Sequence, residues 1–242
     1  MPKRRRSGSR RNLKLVLIVL VVLFFLGGVA YVVWLSDVFK TQSIEVHGAT
    51  LVDENVVAGA LGGNILFWKL PIDIKNYPQI ESVSTKKDFI DRSVRIEVIE
   101  RGKMIIWCEA SGENCFWTDE NGFIFTMAPI PEGSLVVSVV RDYNERELNV
   151  GQNVLPEDLF INLKYALELL DSVDVSVEEI RIDDLKFKEA TAVISGGPEV
   201  YFSLNIDPRF GKGVLEALLN SPDWGAIRYV DLRVENRAYY SL

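Results

Sequence analysis

Residues 229–242 read YVDLRVENRAYYSL. Val230, Leu232, Val234, Ala238 and Tyr240 fall on one parity, and Asp231, Arg233, Glu235, Arg237 and Tyr239 on the other, the pattern of a half-buried strand. Such a strand belongs to a sheet. Its free side matters as much as its packed face, because an edge offers a row of unpaired N–H and C=O groups to a second chain.

The segments before it are strands and helices in alternation. RFGKGVLEALLNSP (209–222) has a helical pattern and leads to Trp224. EVYFSLNI (199–206) alternates Val200, Phe202, Leu204 and Ile206 with Tyr201, Ser203 and Asn205, and VEEIRIDDL (177–185) and ATAVISGG (190–197) are strand-like, the latter ending in a hairpin turn, SGGP. In LPEDLFINLKYALELLDSV (155–173) the period changes: Leu155, Leu159, Leu163, Ala166, Leu167 and Leu170 form one stripe, and Pro156, Glu157 and Asp158 suit a first helical turn. MIIWCE, NCFWTDENG, FIFTMAP and SLVVSVVRD are four more strands, with Asn121-Gly122 suited to positive backbone angles. Residues 102–242 are therefore expected to form a mostly antiparallel β domain with two helices.

Residues 42–101 have a different order. SIEVHGA begins as a strand through Ile44 and Val46; Asp53 then precedes Val56, Val57, Ala60 and Leu61 at helical spacing, with Gly62-Gly63 as the stop. The glycine pair lacks the Lys-Ser/Thr of a phosphate loop and reads as a helix cap. NILFWKLPIDIKNYP predicts an extended piece and a second short helix after Pro71, with FWKL as core rather than a membrane wedge. ESVSTKKDFI and SVRIEVIER close the unit as strands, the second with Val94, Ile96 and Val98 on one face. The whole is α+β, with a small β-α-α-β-β unit ahead of the larger one.

The chain opens on MPKRRRSGSRRNLK (1–14), with Lys3, Arg4, Arg5, Arg6, Arg10, Arg11 and Lys14 and no acid. Residues 15–35 carry no charge at all and as a helix would extend about 32 Å, the thickness of a bilayer's hydrocarbon core. A cleaved signal peptide is the rival reading. Its apolar run is shorter and ends in small residues, whereas this one leaves through Tyr31 and Trp34, which suit the interfacial belt. The basic flank places the N-terminus in the cytoplasm and the rest outside. Of the 27 Lys and Arg, 7 precede the span, leaving 20 against all 34 Asp and Glu, a formal charge of −14 for the outer part. So acidic a body repels nucleic acid.

Chemistry is sparse. His47, the lone histidine, lies in a turn beside Gly48, and no HExxH or GxSxG occurs. Cys108 and Cys115 in CEASGENC lie in the outer, oxidising compartment, where a disulfide across a hairpin suits them better than a metal, for which they lack further ligands. The acid pairs Glu178-Glu179 and Asp183-Asp184 motivate an alternative reading as a membrane-anchored cell-wall hydrolase, which needs two carboxylates at a set separation. They border a strand in a region of charge −14, so surface solubility explains them without catalysis, and no catalytic residue, metal or cofactor is assigned.

In order, the basic tail, single span, IEVHGA, VVAGALGGNILFWKL, YPQIESVSTKKDFIDRSVRIEVIERGKMIIWCE, CFWTDENGFIF and IRYVDLRVENRAYYSL resemble the bacterial cell-division family FtsQ, also called DivIB, over nearly the whole chain. The resemblance implies a POTRA domain over 42–101 and the family's β domain over 102–242. It also implies a non-enzymatic scaffold at the division septum, anchored in the inner or plasma membrane. Its partners would be FtsB-like and FtsL-like single-pass proteins, with the septal peptidoglycan synthase as a further partner. Two departures stand out: where the family often has proline, this chain has Ile90 to Ser93 and Gly102-Lys103. The resemblance makes the closing strand the edge to which FtsB adds its own, with Val234, Asn236, Ala238 and Tyr240 as contacts and Arg233 and Arg237 open to acidic groups.

Overall fold

A computed structural model describes residues 8–34, 36–59, 61–131 and 138–242, with side chains from residue 13 onward. Helix α1 (Gly8–Trp34) contains a 22-residue stretch, Leu13–Trp34, long and apolar enough to cross a membrane, with its side chains turned outward around the whole circumference. The chain divides into two compact units, residues 1–100 and 101–242.

After α1, the first unit contains β1 (Ser43–His47), α2 (Glu54–Ala58), β2 (Ile80–Asp88) and β3 (Ser93–Glu100). Its sheet runs β1-β3-β2, with β1 parallel and β2 antiparallel to the central strand. Val94, Ile96 and Val98 point to one face of β3 and are buried with Val52, Val57, Ile65 and Ile80. The opposite face is charged and wet, with Arg95 on Glu45 at 3.3 Å and Lys86 on Glu97 at 3.5 Å.

The expected helices of this unit are shorter than the sequence implies. Asp53 caps α2 by accepting from the Asn55 N–H (2.8 Å), but the helix stops at Ala58 instead of continuing to Gly62. Gly59 has φ +66° and lies so close to Pro71 that a Cβ there would come within 2.8 Å of its ring. A left-handed residue packed under a proline ends the helix early. Ala60 lies outside the described residues. The second helix is a single 3₁₀ turn, Ile74–Asn76, capped by Asp73.

The second unit is built from β4 (Ile105–Glu109), β5 (Cys115–Thr118), β6 (Ile124–Met127), β7 (Val139–Asp142), α3 (Glu157–Ser172), β8 (Val177–Ile182), β9 (Glu189–Ile194), β10 (Glu199–Ser203), α4 (Lys212–Leu219), β11 (Tyr229–Leu232) and β12 (Tyr239–Ser241). Of the expected strand SLVVSVVRD, residues 134–137 lie outside the described residues. Among the described residues the strands form one sheet, ordered β12-β11-β10-β9-β8-β7-β4-β5-β6. It is mostly antiparallel, with β4/β7, β7/β8 and β10/β11 parallel.

Every member of the predicted α3 stripe is buried, and with Phe160 and Leu215 it packs on Trp107, Val140, Ile180, Ala192, Val200, Phe202 and Val230. The helices thus cover one face of the sheet. The other face carries ion pairs, Arg141 with Glu179 (2.8 Å) and Arg181 with Glu199 (2.6 Å). It also carries a small apolar cluster of Ile106, Cys108 and Cys115. These cysteines stand opposite one another on β4 and β5, Cα to Cα 4.1 Å, and are joined as a disulfide.

Candidate functional site

The nine-stranded sheet has two margins, and the chain treats them differently. At the β6 margin, residues 151–153 run along the outer side: Ile124 N–H donates to the Gln152 carbonyl (2.8 Å), Gly151 N–H donates to the Ile124 carbonyl (2.8 Å), and Phe123 bridges Asn153. At the other margin β12 has β11 on one side and no strand among the described residues on the other. In the smaller sheet the edge strand β2 carries Lys86 and Lys87 and a register shift near Ile80, devices that discourage strand addition.

The open margin is not the single strand that its alternation predicts. Residues 229–242 fold into a hairpin, with Tyr229 opposite Ser241, Val230 opposite Tyr240 and Asp231 opposite Tyr239. Between the arms, Asn236 sits at φ +58°, a conformation that asparagine tolerates, and Arg237 N–H donates to the Val234 carbonyl (3.0 Å). Arg233, Val234, Asn236 and Arg237 therefore belong to the turn, where they had been expected along an extended strand. Of the expected set only Tyr240 lies in a strand. Ala238 is half-buried and packs against the main core.

Arg233 also departs from expectation. Its guanidinium donates to Asp231 through Nε (2.9 Å) and Nη2 (2.7 Å) and to Glu189 through Nη1 (2.8 Å), while lying over the Tyr201 ring at 5.2 Å. The hydrogen bonds from Arg233 hold the Asp231 carboxyl below its ordinary range, and the same bond raises the guanidinium. Two carboxylates of its own sheet thus accept from the guanidinium. It braces the turn. Beside it, burial and then the hydroxyl's bond to Glu199 (2.9 Å) push the Tyr201 phenol upward, and its ring stacks on Tyr229 at 5.6 Å.

What the margin presents outward is Val234, Tyr239, Tyr240 and Leu242, all exposed, with Arg237 also in water. Tyr239 and Leu242 were not among the expected contacts. The Tyr239-Tyr240 doublet was the available signal: neighbours on a strand point to opposite faces, so two adjacent tyrosines on a margin are bulky on both.

The acid pairs do not converge. Glu178 and Glu179 lie at the irregular start of β8 and Asp183 and Asp184 beyond its other end; Glu179 is taken by Arg141, and Asp184 accepts from the Lys186 N–H (2.9 Å) within its turn. His47 lies on the wet face at 3.8 Å from Glu45. Among the described residues no cluster of His, Cys, Asp and Glu could hold a metal. No protein-family model matches the chain, and no curated protein matches it significantly.

Proposed function

We propose that this chain is a single-pass, N-in membrane protein of the FtsQ/DivIB kind, acting at the division septum by binding and not by catalysis. Helix α1 serves as the anchor, the β1-α2-β2-β3 unit as a POTRA domain, and the second unit as the β domain that receives FtsB-like and FtsL-like partners and so helps control septal peptidoglycan synthesis.

The observation that carries this reading is the contrast between the two margins of the large sheet, one bridged at Phe123 and Ile124 by the chain's own backbone and one, at β12, with no further strand among the described residues. A partner strand laid beside β12 would gain main-chain hydrogen bonds, with selectivity from the side chains that flank it. Tyr239 and Tyr240 supply those on the strand, Leu242 the one just past its end, and Val234, Asn236 and Arg237 those of the adjoining turn.

Pull-down of FtsB-like and FtsL-like proteins from cells expressing the full chain tests it. Tyr240→Ala together with Leu242→Ala should abolish capture and impair septation. Undiminished capture by that variant would contradict the site.

A further inference from the structure

We propose that the first unit is seated on the outer surface of the membrane by the tip of its β2–β3 hairpin and the adjoining loop, so that it forms one body with α1. The inference rests on reading α1 as a membrane span.

Three connections bring the apolar residues concerned to the end of the sheet next to α1. Gln42 N–H donates to the Arg92 carbonyl (2.8 Å), and Arg92 Nη1 donates to the Asp37 carbonyl (3.1 Å), which holds the hairpin tip beside the chain leaving the helix. Ile65 N–H donates to the Phe39 carbonyl (2.8 Å), and the Asn64 amide donates to the Val33 carbonyl inside α1, which holds the loop there too. Lys87 Nζ donates to the Trp68 carbonyl (2.8 Å), tying the hairpin to the loop.

At this end Ile90 is 92% exposed and Phe89 56%, and Phe67, expected in the core with the rest of FWKL, is 53% exposed while Trp68 and Leu70 pack on the core. Local geometry gives no reason for apolar residues at the tip. Asp88 Oδ1 accepts from the N–H groups of Ile90 (2.9 Å) and Asp91 (3.1 Å), a turn that polar residues would make equally well. Side chains this large and apolar are normally withdrawn from water, and here the described residues of the unit leave more than half of each uncovered.

The occupant follows from continuity with the span. Phe67 meets the ring of Trp34, centroids 4.9 Å apart, and Trp34 is the last residue of α1. An interfacial tryptophan lies at the headgroup boundary, which places Phe67 at the same depth, and insertion of about 5–10 Å is typical of surface-bound apolar residues. A lipid surface already holding α1 therefore covers Phe67, Phe89 and Ile90 without any further partner.

The test uses the full chain, with its own cysteines oxidised, in vesicles of phosphatidylethanolamine and phosphatidylglycerol. An environment-sensitive fluorophore is attached through Ile90→Cys at the tip, Ser82→Cys toward the far end of β2 or Leu20→Cys in the span, and quenched by lipids labelled at the headgroup boundary or deep in the acyl chain. The Ile90 probe should shift to the blue and lose most of its emission to the shallow label, the Ser82 probe should do neither, and the Leu20 probe should respond to the deep label. An Ile90 probe that behaves like the Ser82 probe while Leu20 is quenched overturns the seating and leaves the span intact. If Leu20 is also unquenched, the span reading falls and the seating with it. Protection of Ile90 in native membranes but not in vesicles would assign the tip to a protein, and that too would overturn the proposal.

Discussion

Tyr240 stands directly across from Val230 in the outermost ladder of the large sheet, yet Val230 is fully buried and Tyr240 is 56% exposed. The pair shares a face but not an environment: the core encloses Val230 and leaves Tyr240 half open to water. Val230→Ala should cost roughly 2–3 kcal/mol of stability through lost burial and an unfilled space. Tyr240→Ala should stay within about 0.5 kcal/mol of the parent. Thermal unfolding checks the first contrast, and partner capture should show the reverse order, Tyr240→Ala being the damaging change.

Arg233 joins two strands and the turn between them, so its loss should be local. Because the side chain is 37% exposed, its ion pairs with Asp231 and Glu189 are screened, and Arg233→Ala should cost no more than about 1 kcal/mol overall. The turn it braces should loosen more than that figure implies. Amide exchange of residues 234–238 should accelerate in the variant while α3 remains unchanged.

Glu100, at the end of β3, receives the N–H groups of Thr50 (2.8 Å), Leu51 (2.7 Å) and Val52 (3.2 Å), and the Thr50 hydroxyl as well. Partial burial alone would raise its carboxyl, but these donors outweigh it and hold the group below its ordinary value. A depressed carboxyl stabilises the fold fully above its unfolded pKa and loses that contribution as pH falls through the folded value. Glu100→Gln should weaken protection of the Leu51 amide by about 1–2 kcal/mol at neutral pH. The gap from the parent should close below the ordinary carboxylate range, as followed by hydrogen exchange corrected for intrinsic rates.

The disulfide between Cys108 and Cys115 closes a loop of sequence separation 7. Constraint of so short a loop gives about 2 kcal/mol on the chain-entropy account. The double change Cys108→Ala and Cys115→Ala should lower the unfolding temperature by several degrees without unfolding the second unit. Partner capture should persist, since the bridge lies in β4 and β5 while the candidate margin is β12. Differential scanning calorimetry and pull-down of the same protein would check both.

Where a periodic pattern met a single packed face, the sequence was readable. Val94, Ile96 and Val98 on β3 and the leucine stripe of α3 are buried as their spacing predicts, because burial is what maintains such a period. Alternation says nothing about neighbours, so the parallel pairings of β7 with β4 and β8, and of β10 with β11, could not be read from it. The reversal at 233–238 hid for a related reason: residues of a short turn can keep strand parity, and only Asn236 in mid-run signalled the break. The role of Arg233 depends on Glu189, distant in sequence and brought near only by the sheet. The early end of α2 likewise depends on Pro71, a tertiary neighbour of Gly59.

The most direct measurement is amide exchange along Tyr239–Ser241 in the full chain, with and without the exported segment of its FtsB-like partner. Strand addition predicts that the partner slows the exchange of outward-facing β12 amides and leaves those of β6, at the opposite margin, unchanged. Tight binding with no change in β12 exchange would mean that the partner holds the molecule elsewhere, and the edge account would be wrong.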